Sequence, residues 1–164
     1  MLLGIKLTVD FAFKATFGSP EHPAVTIHFL NALLGTRITT VKILNPMIDR
    51  DTDDDKLAIL DILATDDQGR QFNIEMQTTL PAGLSQRLVF YASSLYVEQL
   101  KAGENYSLLR PAISICVLDK VLFPQHDRLH SEFLLRDRRG EILTEDLQIH
   151  TVELPKSRVS EHKI

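Results

Sequence analysis

The segment that most restricts how this chain can fold is residues 57–64, in which every side chain is apolar except that of Asp61. A strand that is apolar on both faces belongs inside a sheet that is covered on both sides. A single carboxylate in such a strand is costly, because a buried charge must be neutralised, paired with a cation or bound to a metal ion. Residues 56–65 are therefore predicted to form a central strand in which Asp61 needs a partner.

A second strand-like segment, residues 70–77, follows the turn sequence at residues 66–69. Its two-residue period separates an apolar face from a polar face. The apolar face carries Phe72, Ile74 and Met76, and the polar face carries Asn73, Glu75 and Gln77. If the two segments pair as a β-hairpin through this turn, Asp61 lies across from or near Glu75.

Two carboxylates that converge in this way repel one another unless a cation lies between them, and hard oxygen ligands suit Mg²⁺ or Mn²⁺. Such an ion would stabilise negative charge on a phosphodiester and lower the pKa of a bound water, which Gln77 could orient. Asp61, Glu75 and Gln77 are therefore our candidate hydrolytic cluster. The simpler alternative is a polar strand face held by a salt bridge to Lys56 or Arg87.

The rest of the chain predicts helices and strands around this hairpin. Apolar spacing and glycine stop signals predict a short helix through Phe17, a second ending at Gly35, and a long one after Pro81 that stops at Gly103. Further strands are predicted at residues 38–44, 112–118, 132–136 and 147–152. The order of helix, three strands, helix, strand and a strand-rich extension indicates an α/β fold with a mixed central sheet flanked by helices.

The length, composition and charge of the chain limit the classes of protein to which it can belong. A chain of 164 residues with 44% apolar content can bury the core of one domain. It contains no apolar run long enough to cross a membrane and no signal peptide, so a cytoplasmic protein without a membrane partner is expected. The net charge of −4 argues mildly against nucleic acid, although a local basic group at Arg136, Arg138 and Arg139 could contact phosphate.

Asp61 followed by Glu75-Met76-Gln77 is accompanied by short motifs distributed over almost the whole chain. These are residues 10–14 (DFAFK), 17–18 (FG), 29–31 (FLN), 55–56 (DK) and 153–156 (ELPK), together with Arg87 and Tyr91. Together they resemble the Rpn family of recombination-promoting nucleases and transposases, within the PD-(D/E)xK nuclease superfamily. Asp61 and Glu75-Met76-Gln77 resemble the superfamily signature, with glutamine at the usual lysine position.

The resemblance implies a restriction-endonuclease-like core with a divalent ion held by Asp61, Glu75 and the carbonyl of Met76. It also makes Asp10 and Lys14 candidate substrate-binding residues. Arg87 and Tyr91 lie four residues apart on one predicted helix face, from which they could contact a DNA phosphate; an ordinary solvated or buttressing face fits them equally well. Gln77 cannot act as a cation or a strong base, so its role would be to orient water.

The function expected from these observations is a metal-dependent DNA endonuclease of low sequence specificity, linked to recombination or mobile elements. The alternative is a catalytically silent module of the same fold that binds DNA or a protein. A homo-oligomer would suit double-strand cleavage, although no sequence pattern requires one. We expect a single domain over residues 1–164, with a helical segment at 1–22, a nuclease core at 23–123 and a strand-rich extension at 124–164, either truncated or naturally short.

Overall fold

A computed structural model describes residues 10–44 and 62–157 of the chain. Its helices and strands occur in the order that the sequence predicts, and short 3₁₀ turns follow α3 and β6. The elements are α1 (Asp10–Phe17), α2 (Ala24–Leu34), β1 (Val41–Leu44), β2 (Ile62–Asp66), β3 (Gln71–Gln77), α3 (Leu84–Val97), β4 (Ala112–Leu118), β5 (His130–Arg136) and β6 (Ile142–Glu153).

The strands form one six-stranded sheet in the order β1-β2-β3-β4-β6-β5. β2 and β3 are an antiparallel hairpin, whereas β3, β4 and β6 run parallel to one another. The two parallel pairs need crossover connections, and α3 supplies the one between β3 and β4. The predicted α/β class with a mixed sheet is therefore confirmed, and β6 lies within the sheet directly beside β4.

Helices cover both faces of the sheet, so the central strands are buried on both sides. Phe13 of α1 and Leu30 of α2 belong to the larger apolar cluster, which also contains Phe72, Ile74 and Ile115 of the sheet. On the opposite face, a smaller cluster joins α3 to β4 through Leu84, Leu88, Cys116 and Leu118. Glu75 shares this second face, because it lies directly opposite Cys116 in the parallel pair β3–β4.

Several predicted boundaries agree with the structure. β4 spans the predicted residues, and α2 ends just before Gly35, which adopts the left-handed conformation (φ 63°) and donates its N–H to the carbonyl of Asn31. The turn before Gly140 joins β5 to β6 as predicted.

The predicted end of α3 and the predicted starts of β1 and β6 are wrong by three residues or more, and side-chain contacts explain the first two. α3 ends at Val97 instead of continuing to residue 102, because the Gln99 amide exchanges two hydrogen bonds with the backbone of Arg110 and holds the chain in a loop. β1 begins at Val41 instead of residue 38, because Asn31 bonds both backbone groups of Ile38. β6 begins at Ile142, five residues before its predicted start.

The first part of the predicted central strand, residues 56–61, lies outside the described residues. From Ile62 onward β2 pairs with β3 on one side and β1 on the other, which makes it an interior strand. None of the helices within residues 10–44 and 62–157 is long and apolar enough to cross a membrane.

Candidate active site

Glu75 lies in the middle of β3 and is completely buried beneath α3. Its Oε2 atom accepts a hydrogen bond of 2.6 Å from Nη2 of Arg87, a residue of α3 whose side chain is 33% exposed. Its Oε1 atom is also buried but has no hydrogen-bond partner among the described residues. One oxygen of this carboxylate is thus neutralised and the other is available for a ligand.

Arg87 links Glu75 to a third predicted residue, Tyr91. The guanidinium carbon of Arg87 lies 5.6 Å from the centre of the Tyr91 ring, which is within the range of a cation–π contact. The two residues are four positions apart on α3 and therefore share one face of the helix. Glu75, Arg87 and Tyr91 form a connected group that reaches from the buried strand to the partly exposed surface.

The interior around Glu75 contains other polar side chains whose hydrogen-bonding capacity is unused. Asn73 and Ser114 lie directly opposite one another on β3 and β4, and Thr151 of β6 lies beyond Cys116 in the row that begins at Glu75. All three are buried, and neither the Asn73 amide nor the two hydroxyls find a partner among the described residues. Buried polar groups are normally hydrogen-bonded, so these side chains provide donors and acceptors beside Glu75 that a polar ligand or water can satisfy.

Gln77 and Met76 lie next to Glu75 along β3 but occupy different surroundings. Gln77 is half-buried at the end of the strand, and its carbonyl accepts a 2.9 Å hydrogen bond from the N–H of Asp119. The Met76 side chain points away from Glu75 into the larger apolar cluster. A role of Met76 as a ligand would therefore involve its backbone carbonyl only.

The remaining predicted residues are not brought to Glu75 by the described elements. Asp61 lies outside the described residues. Asp10 begins α1, and Lys14 is a half-buried residue of the same helix. Since α1 packs through Phe13 on the sheet face opposite to Glu75, the structure places this helix on the other side of the sheet.

A second buried glutamate, Glu153, ends β6 on the same sheet face. Its Oε1 accepts hydrogen bonds from the N–H groups of Leu122 (2.5 Å) and Phe123 (2.9 Å), and its Oε2 pairs with Nζ of Lys156 at 2.6 Å. Burial alone raises the pKa of Glu153, but the hydrogen bond from Lys156, the two backbone hydrogen bonds and the charge of Lys156 together lower it below its ordinary value. Every oxygen of this carboxylate is occupied.

Sequence reasoning overlooked Ser114 and Thr151 as part of the polar interior. The signal that could have found Ser114 is the one that singles out Asp61, namely a polar side chain inside a strand that is otherwise apolar on both faces. Thr151 has no comparable signal, because β6 contains polar residues throughout its length.

The donor set that the structure describes is consistent with part of a metal site. An unpartnered carboxylate oxygen suits a hard divalent cation such as Mg²⁺. Within residues 10–44 and 62–157, no group of three or more His, Cys, Asp or Glu side chains could hold a metal ion. The second carboxylate expected at such a site, Asp61, is outside those ranges.

A six-stranded mixed sheet that is covered by helices on both faces is consistent with a nuclease-type α/β domain. The chain belongs to the family described as PD-(D/E)XK nuclease family transposase, whose model matches residues 7–164. The resemblance drawn from the sequence motifs is thereby confirmed, and so is the PD-(D/E)xK fold class. Among curated proteins and among solved structures, none matches the chain.

Proposed function

We propose that the chain is a metal-dependent DNA endonuclease of low sequence specificity that acts in recombination or on mobile elements. Family membership supports a nuclease role and DNA as the substrate. The observation that carries the metal-dependent part is the buried Oε1 of Glu75, which has no partner among the described residues while its neighbour Oε2 is held by Arg87. We expect this activity to be exerted in the cytoplasm.

In this proposal Asp61 and Glu75 hold Mg²⁺ or Mn²⁺, and the Met76 carbonyl is a third ligand. Asp61 directly precedes Ile62, whose partner Ile74 directly precedes Glu75, and this adjacency supports the convergence of the two carboxylates. When bound, the ion lowers the pKa of a coordinated water and stabilises negative charge on the phosphate. The Arg87–Glu75 pair holds Oε2 in place, so that Oε1 is the oxygen directed to the ion.

The other candidate residues act on the water and the substrate. Gln77 lies two residues beyond Glu75 on the same strand face and orients the attacking water by hydrogen bonding. Arg87 is partly exposed and packs on Tyr91, so the two can contact a phosphate at the mouth of the site. Asp10 and Lys14 are proposed to contact the DNA farther from the scissile bond.

The test is nicking of supercoiled plasmid by the full chain with Mg²⁺, Mn²⁺ or EDTA. We expect nicking to require the ion and to fall by roughly a hundredfold or more in Glu75→Gln and in Asp61→Asn, because each removes a charged ligand. Glu98→Gln, at an exposed position just after α3, is the matched control and should retain wild-type activity. Equal nicking by folded wild type and Glu75→Gln would refute the proposal.

A catalytically silent module is the second candidate, and the ion pair between Glu75 and Arg87 favours it. A 2.6 Å pair neutralises the strand carboxylate without any metal, and Gln77 replaces the lysine of the parent pattern. A silent module would retard DNA in a gel-shift experiment but leave the plasmid intact under every metal condition. Binding that is accompanied by ion-dependent nicking sensitive to Glu75→Gln would exclude it.

A further inference from the structure

β5 is the last strand of the sheet, and its outer edge carries features of a pairing surface. β6 lies on one side, and no element within residues 10–44 and 62–157 lies on the other. Phe133 is 42% exposed and Leu135 is 45% exposed. The strand contains neither proline nor lysine, the residues that commonly protect a sheet edge. The opposite edge, β1, is only four residues long and exposes Lys42.

The hydrogen bonds to β6 determine which backbone groups of β5 are directed outward. The carbonyl of Leu129 accepts from the N–H of Glu153 at 2.8 Å, so Leu129 and Glu153 form a hydrogen-bonded pair. Such pairs alternate with pairs whose backbone groups point away from each other. Glu132 and Leu134 therefore direct their N–H and C=O groups outward.

The irregularity in the β5–β6 ladder does not lengthen β5. Leu134 pairs with Gln148 and the next residue, Leu135, pairs with Thr144, so the additional residues belong to β6. β5 can thus continue as a strand to its end at Arg136, and alternation directs the backbone groups of Arg136 outward as well.

The side chains of β5 are self-complementary in one antiparallel register. With Leu134 opposite Leu134 of a second copy, Glu132 lies opposite Arg136 twice, and Phe133 lies opposite Leu135 twice. Neither Glu132 nor Arg136 forms an ion pair with another described residue, so both charges are free to pair across the interface. Sliding the strands by two residues toward their starts places Arg136 opposite His130, and sliding the other way places Leu134 opposite Arg136. Both alternatives lose the pairs between Glu132 and Arg136, and the second would bring Glu132 opposite Arg138, which lies in the turn beyond the end of β5.

We propose that two copies of this chain associate edge to edge through β5, in the antiparallel register centred on Leu134. The partner strand is the β5 of a second copy, because the charged and apolar side chains of β5 are complementary to those of an identical antiparallel strand. The contact has twofold symmetry, so each residue pair except the central one occurs twice. This inference is independent of the proposed nuclease activity.

The experiment is a measurement of molar mass by sedimentation equilibrium over a micromolar concentration series of the full chain. We expect a dimer for the wild type. Glu132→Arg and Arg136→Glu should each raise the dimer Kd by roughly tenfold or more, because each places like charges opposite one another twice. The double variant Glu132→Arg with Arg136→Glu restores opposite charges in the same register and should recover the wild-type Kd. Glu132 and Arg136 are exposed, so the folded state should tolerate these changes.

Disulfide trapping tests the register directly. Leu134→Cys should form a dimer under oxidation, because hydrogen-bonded antiparallel partners have Cα atoms about 5.5 Å apart, within the range that a disulfide spans. Val97→Cys, 68% exposed on α3, is the control and should not cross-link, and the native Cys116 is buried. A monomeric wild type, a dimer unaffected by the single charge reversals, or a double variant that fails to reassociate would each overturn the proposal.

Discussion

Glu75 and Glu153 are both fully buried on the same face of the sheet, two strands apart, and each makes a 2.6 Å ion pair with a basic residue. The difference lies in their second oxygen. In Glu153 it accepts two backbone N–H groups from the loop that follows β4. In Glu75 it has no partner within the described part of the chain.

The basic partners also differ. The Lys156 side chain is only 8% exposed, and its Nζ donates a second hydrogen bond, of 2.7 Å, to the carbonyl of Phe123. Arg87 is 33% exposed and reaches Glu75 from the helix above it. Lys156 is thus buried among the residues that it stabilises, whereas Arg87 lies at the boundary between the protein interior and solvent.

The comparison separates a structural carboxylate from one that can bind a ligand. Both oxygens of Glu153 have partners, and its hydrogen bonds connect the end of β6 to the loop after β4. A further ligand would have to displace hydrogen bonds that are already formed. The half-satisfied Glu75 retains an oxygen whose burial is otherwise unfavourable, and a bound cation would compensate for that cost. Burial and an ion pair alone would not distinguish the two residues.

The largest expected effect concerns the two basic partners. Lys156→Met should lower the free energy of unfolding by about 3–5 kcal/mol, because it leaves Glu153 buried without its cation. Arg87→Met should cost less, about 1–2 kcal/mol, because the Arg87 side chain is partly exposed and water can take its place beside Oε2 of Glu75. Urea denaturation of both variants without divalent ions provides the measurement, and Lys120→Met, at an exposed position, controls for the substitution itself. Equal losses for the two variants would contradict the distinction.

Much of the fold around these carboxylates follows from local sequence signals. The apolar run at Ala112–Leu118, the turn between β2 and β3 and the glycine after α2 act over a few residues, and their consequences are observed. The errors arise where distant groups compete with local preference. Gln99 bonds the backbone of Arg110 and ends α3 early, and such a contact has no signature near residue 99.

The same limit applies to the candidate site. The two-residue period of β3 predicts that Asn73 and Glu75 share a face, and the parallel register with β4 places both beneath α3. The state of each carboxylate oxygen depends instead on contacts between distant segments, such as that of Glu153 with Leu122, 31 residues away. The two-residue period of one strand therefore cannot predict whether both oxygens of its carboxylates have hydrogen-bond partners.

The pH dependence of the free energy of unfolding tests the role of Glu153, once the contribution of His150 is separated. Burial, and then the charge of neighbouring His130, lower the pKa of His150 from 6.5 to about 4. The unfolded chain therefore binds more protons between these values, and stability present above pH 6.5 should decline by about 3 kcal/mol as the pH falls to 4.

Glu153 acts in a lower pH range. Its pKa is lowered from 4.5, so its contribution is present above pH 4.5 and is lost as the pH falls below that value. Denaturation between pH 7 and pH 3 should show both declines in the wild type. We expect His150→Gln to remove most of the upper decline, because His130, whose pKa is also lowered by burial, still contributes there, and Glu153→Gln to remove the lower one. If Glu153→Gln leaves the acid limb unchanged, the saturated carboxylate is not the stabilising group inferred here.

The smallest effect is the most specific, since it concerns Oε1 of Glu75, which has no partner within residues 10–44 and 62–157. If that oxygen binds a divalent ion, Mg²⁺ at about ten times its Kd should raise the free energy of unfolding of the wild type by about 1.4 kcal/mol relative to EDTA. The increment should disappear in Glu75→Gln and persist in Lys156→Met, whose defect lies at the other glutamate. It should increase in Arg87→Met, because the ion then replaces the only cation that the described residues supply to Glu75. A wild-type increment that survives Glu75→Gln would assign the ion to a different site, and plasmid nicking by that variant would then have to be explained without this carboxylate.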